Sequence, residues 1–281
     1  MNAVIDQALE APTRFLEVNG TSYAYRRFGR PSQVPLVGFQ HFTGTLDNWD
    51  PALLNGLAEA REVIIFDNAG VGSSGGQTPD KVAGMTADAV AFLRALQLEQ
   101  IDVLGFSLGG FIAQQLAVQH PALVRKVILV GTAPQGAQVL RGFPELIQKA
   151  MQLPPAERFL FIFFTGSAPS RAAGEATLQR LWARTEDRDR DASVQAVTAQ
   201  INAITTWGTD PVTLDLSTLR QPVLIVQGSH DEMMASENAY LLYRQLPNAM
   251  LTYYPDAAHG SFFQYPELFV HQANYFLNHI H

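Results

Sequence analysis

Ile101-Asp102-Val103-Leu104-Gly105-Phe106-Ser107-Leu108-Gly109-Gly110 is an apolar run that breaks at once into a glycine-flanked serine. The apolar residues Phe111-Ile112-Ala113-Gln114-Gln115-Leu116-Ala117 follow with helical spacing, and His120-Pro121 stops them. This reads as a buried strand turning sharply into a helix. Gly105 and Gly109 make the turn feasible, because a side chain at either place would meet the neighbouring backbone. A serine so placed has its hydroxyl held up at a helix N-terminus, a setting that suits a nucleophile. Alone, the pattern is also compatible with a plain glycine-rich turn, and the surrounding sequence has to decide.

Outward from that turn, apolar runs alternate with helical stretches. Pro35-Leu36-Val37-Gly38-Phe39, Val63-Ile64-Ile65-Phe66, Val127-Ile128-Leu129-Val130, Pro222-Val223-Leu224-Ile225-Val226 and Ala249-Met250-Leu251-Thr252-Tyr253-Tyr254 read as strands. Helices are expected over 51–60, 86–98, 237–245 and 266–279. The strands lack polar alternation, which suits strands covered on both faces. Their repetition with helices implies a mostly parallel sheet with right-handed crossovers. Before them, Asn19-Gly20 divides two alternating runs and predicts a hairpin at an antiparallel edge. Residues 1–13 read as a loose lead-in. Between 135 and 216 the rhythm breaks, with helices expected over 144–151, 155–164, 171–185 and 191–206 and no strand. That stretch reads as a helical cap inserted into a core of residues 1–134 and 217–281. Its charged middle, Arg184-Thr185-Glu186-Asp187-Arg188-Asp189-Arg190-Asp191, is expected to be a solvated face.

Composition narrows the function. The 281 residues are 47% hydrophobic and 16% charged, with a net charge of −7, enough for a sizeable core and unfavourable for nucleic acid. The three lysines, Lys81, Lys126 and Lys149, are scattered. The lack of cysteine excludes disulfides and thiolate catalysis. Met1-Asn2-Ala3-Val4-Ile5-Asp6-Gln7 has no basic start or apolar run, so no secretory signal is expected. The most apolar run, Phe159-Leu160-Phe161-Ile162-Phe163-Phe164, is too short to span a bilayer. A soluble, cytoplasmic protein acting on a small molecule is expected, with the oligomeric state open.

In an open parallel sheet, functional groups gather beyond the C-terminal ends of the strands. Three such ends carry Ser107, Asp231 and His259, in the chain order Ser, Asp, His. A serine hydroxyl attacks only when an imidazole takes its proton, and the imidazole needs a carboxylate on its other nitrogen. Glu232 and Asp256 compete with Asp231 for the acid role. His120 precedes a proline at a helix end, and His271, His279 and His281 lie in the terminal helix or tail. His41 and His230 are loop histidines near the site.

Gly105-Phe106-Ser107-Leu108-Gly109, Gly228-Ser229-His230-Asp231 and Ala258-His259-Gly260 resemble the nucleophile elbow, acid turn and histidine turn of the α/β-hydrolase superfamily. Asp67-Asn68-Ala69-Gly70-Val71-Gly72-Ser73-Ser74 resembles its D-x-R-G-x-G-x-S loop, with alanine in place of arginine. Relatives usually carry His-Gly-x after the third strand, the x supplying an oxyanion-hole N–H. Here Gln40 stands at the histidine, His41 at the glycine and Phe42 at the donor position. The resemblance therefore implies Phe42 and Leu108 as backbone donors, with Thr43 replacing Phe42 if the match slips by one residue. It implies a Ser107-Asp231-His259 triad without cofactor or metal, and His41, Phe106 and Phe163 are candidate substrate contacts. The expected reaction is hydrolysis of a carboxylic ester with a small to medium apolar substrate. A perhydrolase or haloperoxidase-like activity and a C–C bond hydrolase would use the same triad. A non-catalytic small-molecule-binding protein of this fold is the alternative of another class.

Overall fold

The computed structural model describes residues 6–280. Eight strands form one sheet: β1 Arg14–Val18, β2 Thr21–Gly29, β3 Leu36–Phe39, β4 Glu62–Phe66, β5 Ile101–Phe106, β6 Val124–Val130, β7 Val223–Gly228 and β8 Ala249–Tyr254. Their order is β1-β2-β4-β3-β5-β6-β7-β8. The expected hairpin is the antiparallel edge: β2 runs antiparallel to both β1 and β4. From β4 to β8 all pairings are parallel.

Because side chains alternate across a strand, one apolar run feeds two cores. Val103, Val127 and Ile225 enter the core on one face, with helices α2 Val82–Ala95, α3 Leu108–Gln119 and α8 Glu237–Gln245. Leu104, Ile128 and Leu224 enter the other, with α1 Pro51–Ala58 and α9 Pro266–His279. Between β6 and β7 lie α4 Phe143–Ala150, α5 Pro155–Phe163, α6 Ala168–Leu181 and α7 Val194–Thr209, with no strand among the described residues. The chain is thus an α/β protein with helices on both faces of a mostly parallel sheet and an inserted helical cap.

Where helix boundaries differ from expectation, caps and backbone explain them. The helix expected at 171 begins at Ala168 because the Ser167 hydroxyl accepts from Ser170 N–H. The one expected at 191 begins at Val194, where Ser193 caps it in the same way. The helix expected over 86–98 spans Val82–Ala95, and Gln97 just beyond it is left-handed (φ 58°). Residues 1–5 of the expected lead-in lie outside the described residues, but Gln7–Glu10 form a short helix capped by Asp6.

The charged run is solvated over most of its length, as expected, but Arg184 and Asp189 turn inward. Arg184 is 9% exposed and donates to the carbonyls of Leu9 and Ala11. The buried Arg26 on β2 donates to Asp47 Oδ1 (2.7 Å) and to the Asp187 carbonyl (3.2 Å), while Asp189 N–H donates to Asp47 Oδ2 (2.7 Å). The run is a strap binding the cap to the core, because buried main-chain carbonyls and the Asp47 carboxylate need donors.

The strap buries both carboxyl oxygens of Asp189 near Asp67, and neither has a hydrogen-bond partner among the described residues. Burial first, then the charge of Asp189, pushes the Asp67 carboxyl well above the usual carboxylate range, against N–H donors from Ser73 and Leu46. A carboxyl so raised contributes stability at acid pH that is lost as pH rises through its folded value. Asp189→Asn removes the like charge and supplies a donor. Its melting temperature should exceed that of the native protein by about 2–4 °C per kcal/mol recovered, with the gap widening from pH 5 to pH 9. Parallel melting curves across that range would disprove the repulsion between the two carboxyl groups.

Candidate active site

Four loops at the C-terminal edge of the parallel strands build the site. The first is the turn after β5. Ser107 has φ 55° and ψ −118°, a left-handed backbone for a non-glycine residue. It is held there by its N–H to the Val130 carbonyl (2.9 Å), and its own carbonyl accepts from Gly110 N–H and Thr132 Oγ1, both at 2.8 Å. Such strain persists only where the surroundings over-determine it, and it concentrates at functional sites. A Cβ at Gly105 would come within 2.6 Å of the Gly109 carbonyl oxygen, and one at Gly109 would overlap the Phe39 carbonyl. These two glycines let helix α3 approach the end of β3, placing its unsatisfied N–H groups beside the loop that follows.

The second and third loops follow β7 and β8. A Cβ at Gly228 would overlap the Ala258 carbonyl, so the two turns lie in contact, and His230 N–H donates to the Ala257 carbonyl (2.8 Å). His259 Nδ1 and Asp231 Oδ2 are 2.8 Å apart. The carboxylate can only accept, so Nδ1 carries the hydrogen and Nε2 is left with a free lone pair. Asp231 also accepts from Gln227 Nε2 at Oδ2 (2.7 Å) and from Met233 and Met234 N–H at Oδ1 (2.8 and 3.1 Å). Burial would raise its pKa, but the charge and hydrogen bond of His259, with Met234 N–H and Gln227, outweigh it and hold the group below the usual range. Neither rival acid contacts the imidazole. Asp256 accepts from the Thr165 and Ser167 hydroxyls at the foot of the cap, and Glu232 is exposed.

Gln227 escaped the sequence reading, although one polar residue closing the apolar run of β7 was visible. It is fully buried, and its Oε1 has no partner among the described residues. A half-satisfied buried amide is a stability cost. Its position against Asp231 accounts for its presence.

The fourth loop, after β3, holds the cap. His41 Nδ1 donates to the Phe42 carbonyl (2.7 Å). Its ring lies 5.2 Å from those of Phe106 and Phe163. Burial, opposed by that carbonyl bond and reinforced by nearby His259, lowers its pKa to about 4, so His41 is neutral at physiological pH. Gln40 braces the loop, accepting from His41 N–H (2.9 Å) and donating to the Thr45 carbonyl (3.3 Å). Thr43 N–H donates to Gln200 Oε1 on α7 (2.6 Å), whereas the N–H groups of Phe42 and Leu108 have no partner among the described residues. Phe163 stacks on His259 at 5.8 Å and 18°, and its carbonyl accepts from Gly260 N–H (2.8 Å). Phe106 packs fully buried beneath the same imidazole, 5.1 Å away.

Ser107 and His259 are each 2% exposed, and Phe163 of the helical insertion lies over the imidazole. The lysines are engaged elsewhere: Lys81 with Asp210, Lys126 with the carbonyls of Phe276 and Leu277, and Lys149 over the Phe161 ring. Among the described residues, no group of three or more His, Asp or Glu is arranged to hold a metal ion. No helix among them is long and apolar enough to cross a membrane.

Comparison with known proteins agrees with this architecture. A solved alpha/beta hydrolase fold protein from Chitinophaga pinensis is 60% identical, with a TM-score of 0.96 over 97% of this chain and 99% of that one. The dihydrolipoyllysine-residue acetyltransferase component of the acetoin cleaving system of Cupriavidus necator is 30% identical over 265 residues, which are 89% of this chain and 65% of that protein. The chain thus spans just under two thirds of that relative. The poly(3-hydroxyalkanoate) depolymerase of Ectopseudomonas oleovorans is 28% identical over 232 residues, 80% of this chain and 78% of that one. The family model for the alpha/beta hydrolase fold matches residues 35–266, and the chain belongs to that family.

Proposed function

We propose that the protein is a carboxylic ester hydrolase in which Ser107 is the nucleophile, His259 the general base and Asp231 its orienting carboxylate. The observation that carries this reading is the buried Asp231–His259 hydrogen bond, with Nδ1 as donor, on the same sheet edge as a serine held at φ 55°. In the first step His259 Nε2 takes the Ser107 proton as Oγ attacks the ester carbonyl. The N–H groups of Phe42 and Leu108 receive the oxyanion. Thr43 N–H is already committed to Gln200, which favours Phe42 over its neighbour. His259 then protonates the departing alcohol, and water repeats the cycle to release the acid.

Phe163 stacks on the imidazole of this scheme and packs against His41. With the aromatic rings around them they form a largely apolar surrounding, which favours small to medium apolar acyl groups. The depolymerase among the relatives, named for a polyester, adds weight to an ester substrate.

A fluorophosphonate probe tests the assignment directly. It should modify Ser107 alone, and prior labelling should abolish turnover of p-nitrophenyl esters from acetate to octanoate. Intact protein with no adduct on Ser107 would point instead to a binding protein that keeps the fold.

A further inference from the structure

The peptide joining Phe42 to Thr43 is held from both sides. Its carbonyl accepts from His41 Nδ1 and from Thr43 Oγ1, each at 2.7 Å, and its N–H donates to Gln200 Oε1 at 2.6 Å. The first two bonds are internal to the loop. The third comes from the cap, 157 residues away in sequence. Thr43 is left-handed at φ 59°, an outlying conformation for a β-branched residue and one that persists only under restraint.

Gln200 is fully buried, yet only half of its amide is used: Nε2 has no partner among the described residues. An apolar side chain of the same length would fill this place without an orphaned donor, so packing does not explain a glutamine here. Its helix is firmly seated. Trp207, two turns on, stacks on Phe111 at 5.1 Å and 11° and donates to the Ala133 carbonyl (3.2 Å).

We infer that Gln200 is a positioning residue for catalysis: from the cap, it fixes the Phe42–Thr43 peptide and so aims the Phe42 N–H at the oxyanion. This rests on the ester-hydrolase reading above. Its consequence is that cap docking and completion of the oxyanion hole are one event. A substrate admitted while the cap is displaced meets Ser107 with only the Leu108 N–H correctly placed.

The test compares Gln200→Met and Gln200→Glu, with p-nitrophenyl butyrate as substrate. Methionine keeps length and volume but accepts no strong hydrogen bond. Glutamate keeps an acceptor for Thr43 N–H and replaces the partnerless NH₂ by a second carboxyl oxygen. Removing an oxyanion donor outright costs about 10²–10³ in kcat, so misaiming one should lower kcat by ~10- to 100-fold in Gln200→Met. KM should stay within about twofold, since the donor acts on the transition state. Gln200→Glu should keep kcat within about fivefold of the native enzyme. A packing role predicts the reverse order, with methionine tolerated and a buried carboxyl harmful, and that order overturns the inference, as does a loss confined to KM. If Gln200→Met does not fold, Gln200→Asn, one methylene short of Thr43, replaces it with the same expected loss. If native turnover does not depend on Ser107, the ester-hydrolase reading falls and takes this inference with it. If turnover does depend on Ser107 and Gln200→Met keeps its kcat, this inference alone falls.

Discussion

Ser107→Ala should lower kcat for p-nitrophenyl butyrate by roughly 10⁴- to 10⁶-fold, the range seen where single members of such a triad have been removed. The fold should persist. The left-handed backbone at this position is imposed by the Val130, Gly110 and Thr132 hydrogen bonds, all of which use main-chain atoms of Ser107. Alanine is neither more nor less strained there than serine, and the hydroxyl makes no hydrogen bond within the protein among the described residues. Melting curves of the two proteins should therefore coincide within a few degrees while turnover disappears. Hydrolysis persisting at more than about a hundredth of the native rate would place the nucleophile elsewhere.

Asp231→Asn should cost about 10⁴ in kcat with KM little changed, through the tautomer of His259 rather than through loss of fold. The geometry dictates this outcome. Met233 and Met234 N–H both point at Oδ1, so an asparagine places its carbonyl oxygen there and its NH₂ at the Oδ2 position. Two donors now face that NH₂: Gln227 Nε2 and His259 Nδ1. Gln227 can invert its amide and present Oε1, which has no other partner. His259 can only move its hydrogen to Nε2, where it can no longer take the proton of Ser107. Steady-state kinetics joined to NMR of the imidazole nitrogens would check both halves of the claim. A fall in kcat without a change of tautomer would mean that Asp231 acts through its charge alone.

Much of the candidate site is legible in the sequence because its proposed members sit where local rules operate. A glycine-flanked serine after an apolar run, an acid three residues past Gly228 and a histidine after the last strand follow from strand, turn and helix signals. Asp231 is separated from Asp256 and Glu232 in the sequence only by its place at a strand end; the structure ties Asp256 to the cap and leaves Glu232 exposed. The charged run 184–191 is mostly solvated, as expected, but its inward contacts are not legible in the sequence. Its charges are those of a solvated surface, and nothing local to it shows that Leu9, Ala11 and Asp47 will arrive needing donors. Gln200 lay hidden for the same reason, being one polar residue on a helix with no visible counterpart.

The sequence by itself determined the doubly covered sheet, its hairpin edge, the inserted helices and the order of Ser107, Asp231 and His259, because these depend on periodicity and turn chemistry over a few residues. Only the tertiary structure decided which carboxylate reaches Nδ1 of His259, that Thr43 N–H is taken while Phe42 N–H is free, and how the cap is strapped down. Those are pairings between hydrogen-bonding groups far apart in the chain, and which of many chemically equivalent donors and acceptors meet is settled by packing alone.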